Sequence, residues 1–190
     1  MKKKIAILGS TGSIGKSLIK ILKKDKNNFK IILLTCNSNY RELLKQVDMF
    51  NVKNIIVKDY KIFLHVKKIL KDKKINIYNR FDFYDKIFNQ KIDYTMSAIS
   101  GFDALKPTLD IIKYTKVIAL ANKESIICGW SLISKNIKKY KTKFIPIDSE
   151  HFSIWSLINN SKNANIEKVF ITASGGPFKN LPLSDFKLIT

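Results

Sequence analysis

A chain of 190 residues with 45% hydrophobic content has material for one full core, or for one domain and the beginning of a second. It holds no uncharged apolar run near the ~18 residues a membrane span needs, and the Met1-Lys2-Lys3-Lys4 start leads into a first strand, not an export signal. The net charge of +20 invites a nucleic-acid reading. However, Arg occurs only at Arg41 and Arg80 and the lysines scatter over helix faces, so the charge reads as surface solvation, with neither nucleic acid nor membrane expected as a partner.

The first strand, Lys4 to Leu8, runs into Gly9-Ser10-Thr11-Gly12-Ser13-Ile14-Gly15 and then a helix over Ser13 to Lys24. A strand, a glycine-rich turn and a helix N-terminus together let a pyrophosphate approach bare main chain. The spacing is GxxGxxG where the usual fingerprint is GxGxxG, and a plain glycine turn is the alternative. The second strand, Lys30 to Thr35, ends in Cys36-Asn37-Ser38-Asn39 without the acidic residue that binds the ribose 2′-hydroxyl of NAD. Small polar side chains there leave room for a 2′-phosphate, so Asn37 and Ser38 favour NADP. Either one also suits the N-cap of the next helix.

Strands at Asn54 to Val57, Ile75 to Tyr78, Asp93 to Ala98, Val117 to Ala121 and Lys143 to Ile147 alternate with helical patterns at 40–50, 60–71, 82–89, 101–113 and 123–140, the last bent near Gly129. This rhythm predicts an α/β fold: a Rossmann-like parallel sheet with helices on both faces over residues 1–147, followed by the start of a second α/β catalytic domain over 148–190. Within that second part a short helix through Trp155 and a strand from Lys168 to Thr172 are expected. The pattern then breaks off in a helical stretch without a cap, as if the domain were cut short. Cys36 and Cys128 have no metal-ligand spacing and suit a reducing cytoplasm. His65 and His151 read as surface or helix-face groups, and Trp130 and Trp155 as packing residues.

Three loops on the predicted ligand rim carry chemistry. In Ala119-Leu120-Ala121-Asn122-Lys123-Glu124-Ser125, Lys123 suits a substrate oxygen and Asn122 the nicotinamide ribose, while a solvated first helical turn is the alternative. If the strand from Lys143 continues through Asp148-Ser149-Glu150, a period of two turns both carboxylates to one side, where they can grip a hard divalent cation. Otherwise Asp148 or Ser149 caps the following helix. Ser174 and the free N–H groups of Gly175-Gly176 could hold a phosphate, or form a simple turn before Pro177.

Four runs, GSTGSIG at 9–15, ALANKES at 119–125, IPIDSEH at 145–151 and TASGGPF at 172–178, occur in the order and spacing of one family. Through them the whole chain resembles the 1-deoxy-D-xylulose 5-phosphate reductoisomerases. The resemblance implies an NADPH-dependent oxidoreductase that needs Mg2+ or Mn2+. It places Thr11, Gly12, Ser13 and Ile14 at the cofactor phosphates, Ala98 and Ile99 along the cofactor's path, and Asn122 and Glu124 at further cofactor contacts. It gives Asp148 and Glu150 to the metal, and Lys123, Ser149, Glu150 and Ser174 to a sugar phosphate substrate. Cys36-Asn37-Ser38 departs from the family's usual Gly, basic or small polar residue and Asn, which leaves the 2′-phosphate contacts unassigned. Members continue well beyond this length and pair as homodimers; their further part carries a third metal carboxylate and a closing loop, so the chain reads as an amino-terminal portion without full turnover of its own.

Overall fold

Alternation with a period of two decides which side of the sheet each strand residue serves. In the computed structural model, which describes residues 1–160, 166–171, 182 and 184–185, Ile5 and Ile7 of β1 (Lys3–Leu8) join one apolar cluster while Ala6 and Leu8 join the other. Six strands run parallel in the same sheet: β2 (Phe29–Cys36), β3 (Asn54–Val57), β4 (Asn76–Tyr78), β5 (Ile92–Ser97), β6 (Thr115–Leu120) and β7 (Lys143–Pro146). Their spatial order is β4-β3-β2-β1-β5-β6-β7.

Helices α1 (Ser13–Lys24), α2 (Tyr40–Phe50) and α3 (Tyr60–Ile69) cover one face through Ile19, Leu22, Leu43, Val47 and Val66. Helices α4 (Tyr84–Ile87), α5 (Leu105–Ile111) and α6 (Lys123–Tyr140) cover the other through Tyr84, Ile111 and Ile133. Each of the aliphatic side chains among these contributes roughly 1.5–3 kcal/mol by leaving water, which commits the alternation to one register. A single slip interrupts it: Ile5 pairs with Ile31 but Ala6 with Leu33, so Ile32 is an extra residue in β2. The bulge lets Ile31 and Leu34 share the first face.

The doubly covered parallel sheet is the one expected, with local differences. The stretch at 82–89 is a 3-10 turn, Phe81–Phe83, followed by the single turn of α4, and the stretch at 101–113 tightens into 3-10 turns on both sides of α5. Helix α6 does bend at Gly129 (φ −131°, ψ 15°), where a Cβ would strike Leu105 of α5. The cap of α2 is Asn39, whose Oδ1 accepts from the Glu42 N–H at 3.3 Å; neither Asn37 nor Ser38 fills that role.

The chain divides into two compact units, Met1–Asp148 and Ser149–Thr190, one residue later than the sequence boundary. The second unit opens with α7 (Ser149–Asn160). The strand expected over 168–172 is absent from its described part: residues 166–171 carry no regular structure, and Val169, Phe170 and Ile171 are exposed. An apolar run becomes a strand only against a partner edge, and none is paired with it among the described residues. Among the described residues no helix is long and apolar enough to cross a membrane.

Candidate functional site

The strand order reverses at β1 and β5, and in such sheets the ligand crevice opens beyond the carboxyl ends of the two strands flanking that point. The turn after β1 divides its work among three glycines. Gly9 has φ +78°, and a Cβ there would lie 2.6 Å from the Ala98 carbonyl oxygen, so only glycine lets the loops after β1 and β5 approach. At Gly15 a Cβ would collide with the main chain of Gly9 and Ser10, which fixes how closely α1 packs on the turn. Gly12 is different: a Cβ would find ordinary contact, 3.4 Å from the Gly9 oxygen.

Buried polar side chains brace this turn. Thr35 Oγ1 accepts the Gly9 N–H at 2.8 Å, the Thr35 carbonyl accepts the Ser10 N–H at 2.9 Å, and Gln46 Nε2 donates to the Ser10 carbonyl at 3.1 Å. Thr35 and Gln46 are each 1% exposed, so these bonds form in low dielectric and hold the main chain in one geometry.

The braced turn forms one wall of a cleft of about 300 Å³, with Thr11 and Gly12 from the turn, Asn37 after β2, Lys58 after β3, and Ala98 and Ile99 after β5 on its lining. Helix α1 starts at Ser13 with Gly12 as its N-cap; no side chain caps it, and its first turn holds no acidic residue. Its leading N–H groups and the positive end of its dipole therefore keep their affinity for an anion. No carboxylate follows β2 in the lining, and burial pushes the Cys36 thiol up to about 12, so that group stays neutral. The donor set suits a phosphate-bearing dinucleotide. Ser13 and Ile14 sit in the exposed first turn of α1 and Ser38 in the exposed loop beside Asn37, all outside the cleft lining.

At the other side of the rim, Asn122 is 3% exposed and ties two elements together. Its Oδ1 caps α6 by accepting the Ser125 N–H at 2.6 Å, and its Nδ2 donates to the carbonyls of Ile99 at 3.0 Å and Gly101 at 2.9 Å. With both amide hydrogens committed, the Asn122 side chain shapes the loop that carries Ile99. Lys123 and Glu124 follow in the first turn of α6, exposed.

The period-two route to a carboxylate pair fails. Strand β7 ends at Pro146, and Ser149 and Glu150 begin α7, so Asp148 closes one unit and Glu150 belongs to the other. Among the described residues no three His, Cys, Asp or Glu side chains gather as a metal site. Asp148 and Glu150 are hard oxygen donors of the type a divalent cation takes. Ser174 and the TASGGPF run lie outside the described residues.

Sequence reasoning passes over Thr35, Gln46 and Lys58. Lys58 had a signal, since it is the first polar residue after an apolar strand on the ligand rim. Thr35 and Gln46 had none, because their role depends on which strand and helix flank β1.

Residues 5–129 match the family described as 1-deoxy-D-xylulose 5-phosphate reductoisomerase, and residues 144–190 match the C-terminal domain of that family. The reductoisomerase of Pelagibacter ubique (strain HTCC1062) is 66% identical over 190 residues, covering 99% of this chain and 49% of that protein. That of Wolbachia pipientis wMel is 38% identical over 188 residues, 97% of this chain and 47% of that protein. The enzyme from Zymomonas mobilis in complex with NADPH superposes with a TM-score of 0.86 at 30% identity, over 100% of this chain and 50% of that one. A DOX-P reductoisomerase in complex with NADPH, fosmidomycin and magnesium gives 0.79 at 28% identity, over 99% of this chain and 49% of that one. The chain thus spans about half the length of the curated relatives it matches.

Proposed function

Because the chain belongs to the 1-deoxy-D-xylulose 5-phosphate reductoisomerase family, we propose that it supplies the NADPH-binding domain and the first catalytic residues of a cytoplasmic enzyme that converts 1-deoxy-D-xylulose 5-phosphate to 2-C-methyl-D-erythritol 4-phosphate in non-mevalonate isoprenoid synthesis. The observation that carries this reading is the uncapped N-terminus of α1, opening on the β1/β5 crevice beside a β2 end without a carboxylate.

Thr11, Gly12, Ser13 and Ile14 present main-chain N–H groups and small hydroxyls to the pyrophosphate. Ala98 and Ile99 give the nicotinamide half an apolar path, with Asn122 holding that loop in place and Glu124 a further contact. Asn37 and Ser38 flank the adenosine end. Lys123 places an ammonium where a substrate oxygen gains negative charge. Ser149, Glu150 and Ser174 hold the sugar phosphate, and Asp148 and Glu150 the Mg2+ or Mn2+. When bound, NADPH supplies the hydride and the cation the Lewis acidity for the rearrangement.

The test is calorimetric titration of NADPH and then Mn2+ into the wild-type chain and Asp148→Ala. NADPH affinity should be unchanged by the substitution while Mn2+ binding weakens at least about tenfold, as loss of a charged ligand implies. Equal Mn2+ affinity in both proteins removes Asp148 from the metal site, and no NADPH binding removes the cofactor reading. An NADPH oxidation assay with substrate and Mn2+ then separates turnover from binding alone.

A further inference from the structure

We propose that Lys58 recognises the 2′-phosphate of the cofactor and so sets this chain's preference for NADPH over NADH, an assignment that rests on the cofactor reading above. The loop after β2 in a dinucleotide-binding sheet lies beside the adenosine ribose, so the group that reads the 2′ position must reach that loop. Here the loop supplies Cys36, Asn37 and Ser38, which carry no positive charge. A phosphate dianion held only by neutral donors would leave its charge uncompensated.

The neighbouring strand supplies the cation. Strands β2 and β3 pair in register up to Cys36 and Val57. The contact continues past the sheet, because the Lys58 N–H donates to the Cys36 carbonyl at 3.0 Å and the Asp59 N–H to the Asn37 carbonyl at 3.2 Å. Lys58 is thereby fixed alongside Asn37, about the 4.8 Å of adjacent strands away. Asn79 Nδ2 secures the same main chain, donating to the Val57 and Lys58 carbonyls at 3.0 Å each.

The anchored main chain carries an exposed side chain. Lys58 is the only basic side chain among the described residues that line the cleft, and it enters no ion pair among the described residues. The carboxylate of its acidic sequence neighbour, Asp59, caps α3 by accepting the Ile62 N–H at 2.9 Å and does not line the cleft. Asp103 also lines the cleft, but from the side that follows β5. In the adjoining groove, which Lys58 also borders, the other two cations are paired, Arg80 with Asp82 at 3.5 Å and Lys106 with Asp110 at 2.6 Å. A lysine at this place acts as a flexible point charge, which suits a phosphate better than a ribose hydroxyl.

The experiment measures dissociation constants of NADPH, NADH, 2′,5′-ADP and 5′-AMP for the full chain, for Lys58→Met and for Lys58→Arg. One charge-assisted contact corresponds to roughly 10- to 100-fold in affinity. Lys58→Met should therefore weaken NADPH and 2′,5′-ADP by that factor and change NADH and 5′-AMP less than about twofold, while Lys58→Arg retains most of the NADPH affinity. Equal weakening of NADPH and NADH, or no weakening of either, overturns the assignment and leaves the cofactor reading intact. A wild-type chain that binds neither dinucleotide overturns both.

Discussion

Helices α1 and α6 both start on the ligand rim, directly after β1 and β6, and they start in opposite ways. Gly12 leaves α1 without a side-chain cap or an acidic first turn, whereas Asn122 caps α6 at 2.6 Å and Glu124 stands in its first turn. A capped N-terminus is already satisfied and can only display the side chains it carries, here Lys123 and Glu124. The uncapped one keeps its N–H groups for an anion from outside. One rim thus offers a main-chain phosphate seat on one side of the switch point and a side-chain platform on the other.

The largest effect expected from disturbing this contrast is at Gly15, where a side chain meets main chain that cannot give way. Gly15→Val should cost about 3 kcal/mol or more in urea unfolding; a wild-type midpoint would show that α1 is not packed on the turn as described. Asn122→Ala comes next. It removes one cap and leaves two part-buried carbonyls without their donor, an expected loss of about 1–3 kcal/mol, with NADPH binding weakened through the displaced 99–101 loop. If instead Asn122→Ala lost NADPH affinity at unchanged stability, Asn122 would be a direct ligand and not a positioning residue.

Gly12→Asp turns α1 into a helix like α6. Gly12 has φ −76°, open to any residue, so the new carboxylate can cap the helix without strain. The variant should melt at or slightly above the wild-type temperature, by up to about 1 kcal/mol of stabilisation, yet bind NADPH at least about tenfold more weakly, since a fixed negative charge now occupies the anion seat. Unchanged NADPH affinity would mean the pyrophosphate sits elsewhere.

The smallest effect lies at the opposite end of the same sheet, where Asp93 accepts from Lys116 Nζ and the Lys4 N–H, both at 2.8 Å. These bonds, the one from Lys116 foremost, hold its carboxyl below the usual value. A lowered carboxyl stabilises the fold above the unfolded-state pKa and loses that contribution as pH falls through the folded value. Asp93→Asn should therefore cost no more than about 1 kcal/mol at pH 7, the gap from wild type closing in acid, with NADPH affinity unaffected. A gap that persists once acid has protonated the carboxyl in both states would show that packing and not charge is involved.

Much of the glycine-turn side of the rim is legible in the sequence alone. Ile5 to Leu8, the glycine run and the amphipathic α1 are contiguous, and hydrophobic period together with glycine placement reports contiguous structure directly. The other side was less legible. Asp148 and Glu150 suggested a strand pair because a period of two was extrapolated beyond Pro146, whereas the chain turns there and α7 begins at Ser149. The apolar run Val169-Phe170-Ile171 has strand composition but no strand partner among the described residues. The cap of α2 was misplaced by one or two residues because Asn37, Ser38 and Asn39 are all good caps, and the local turn decides which side chain faces the Glu42 N–H.

By itself the sequence determined the order of the strands and helices as far as β7, the position of the glycine turn and the family, since each depends on residues adjacent in the chain or on motifs in series. Only the tertiary structure decided that Thr35 and Gln46 brace that turn, that Asn122 binds the loop after β5, and that Lys58 stands beside Asn37. These pairings join residues 21 to 36 positions apart in sequence. They exist because the sheet sets β2 and β5 on either side of β1 and β3 beyond β2, an arrangement that no local periodicity encodes.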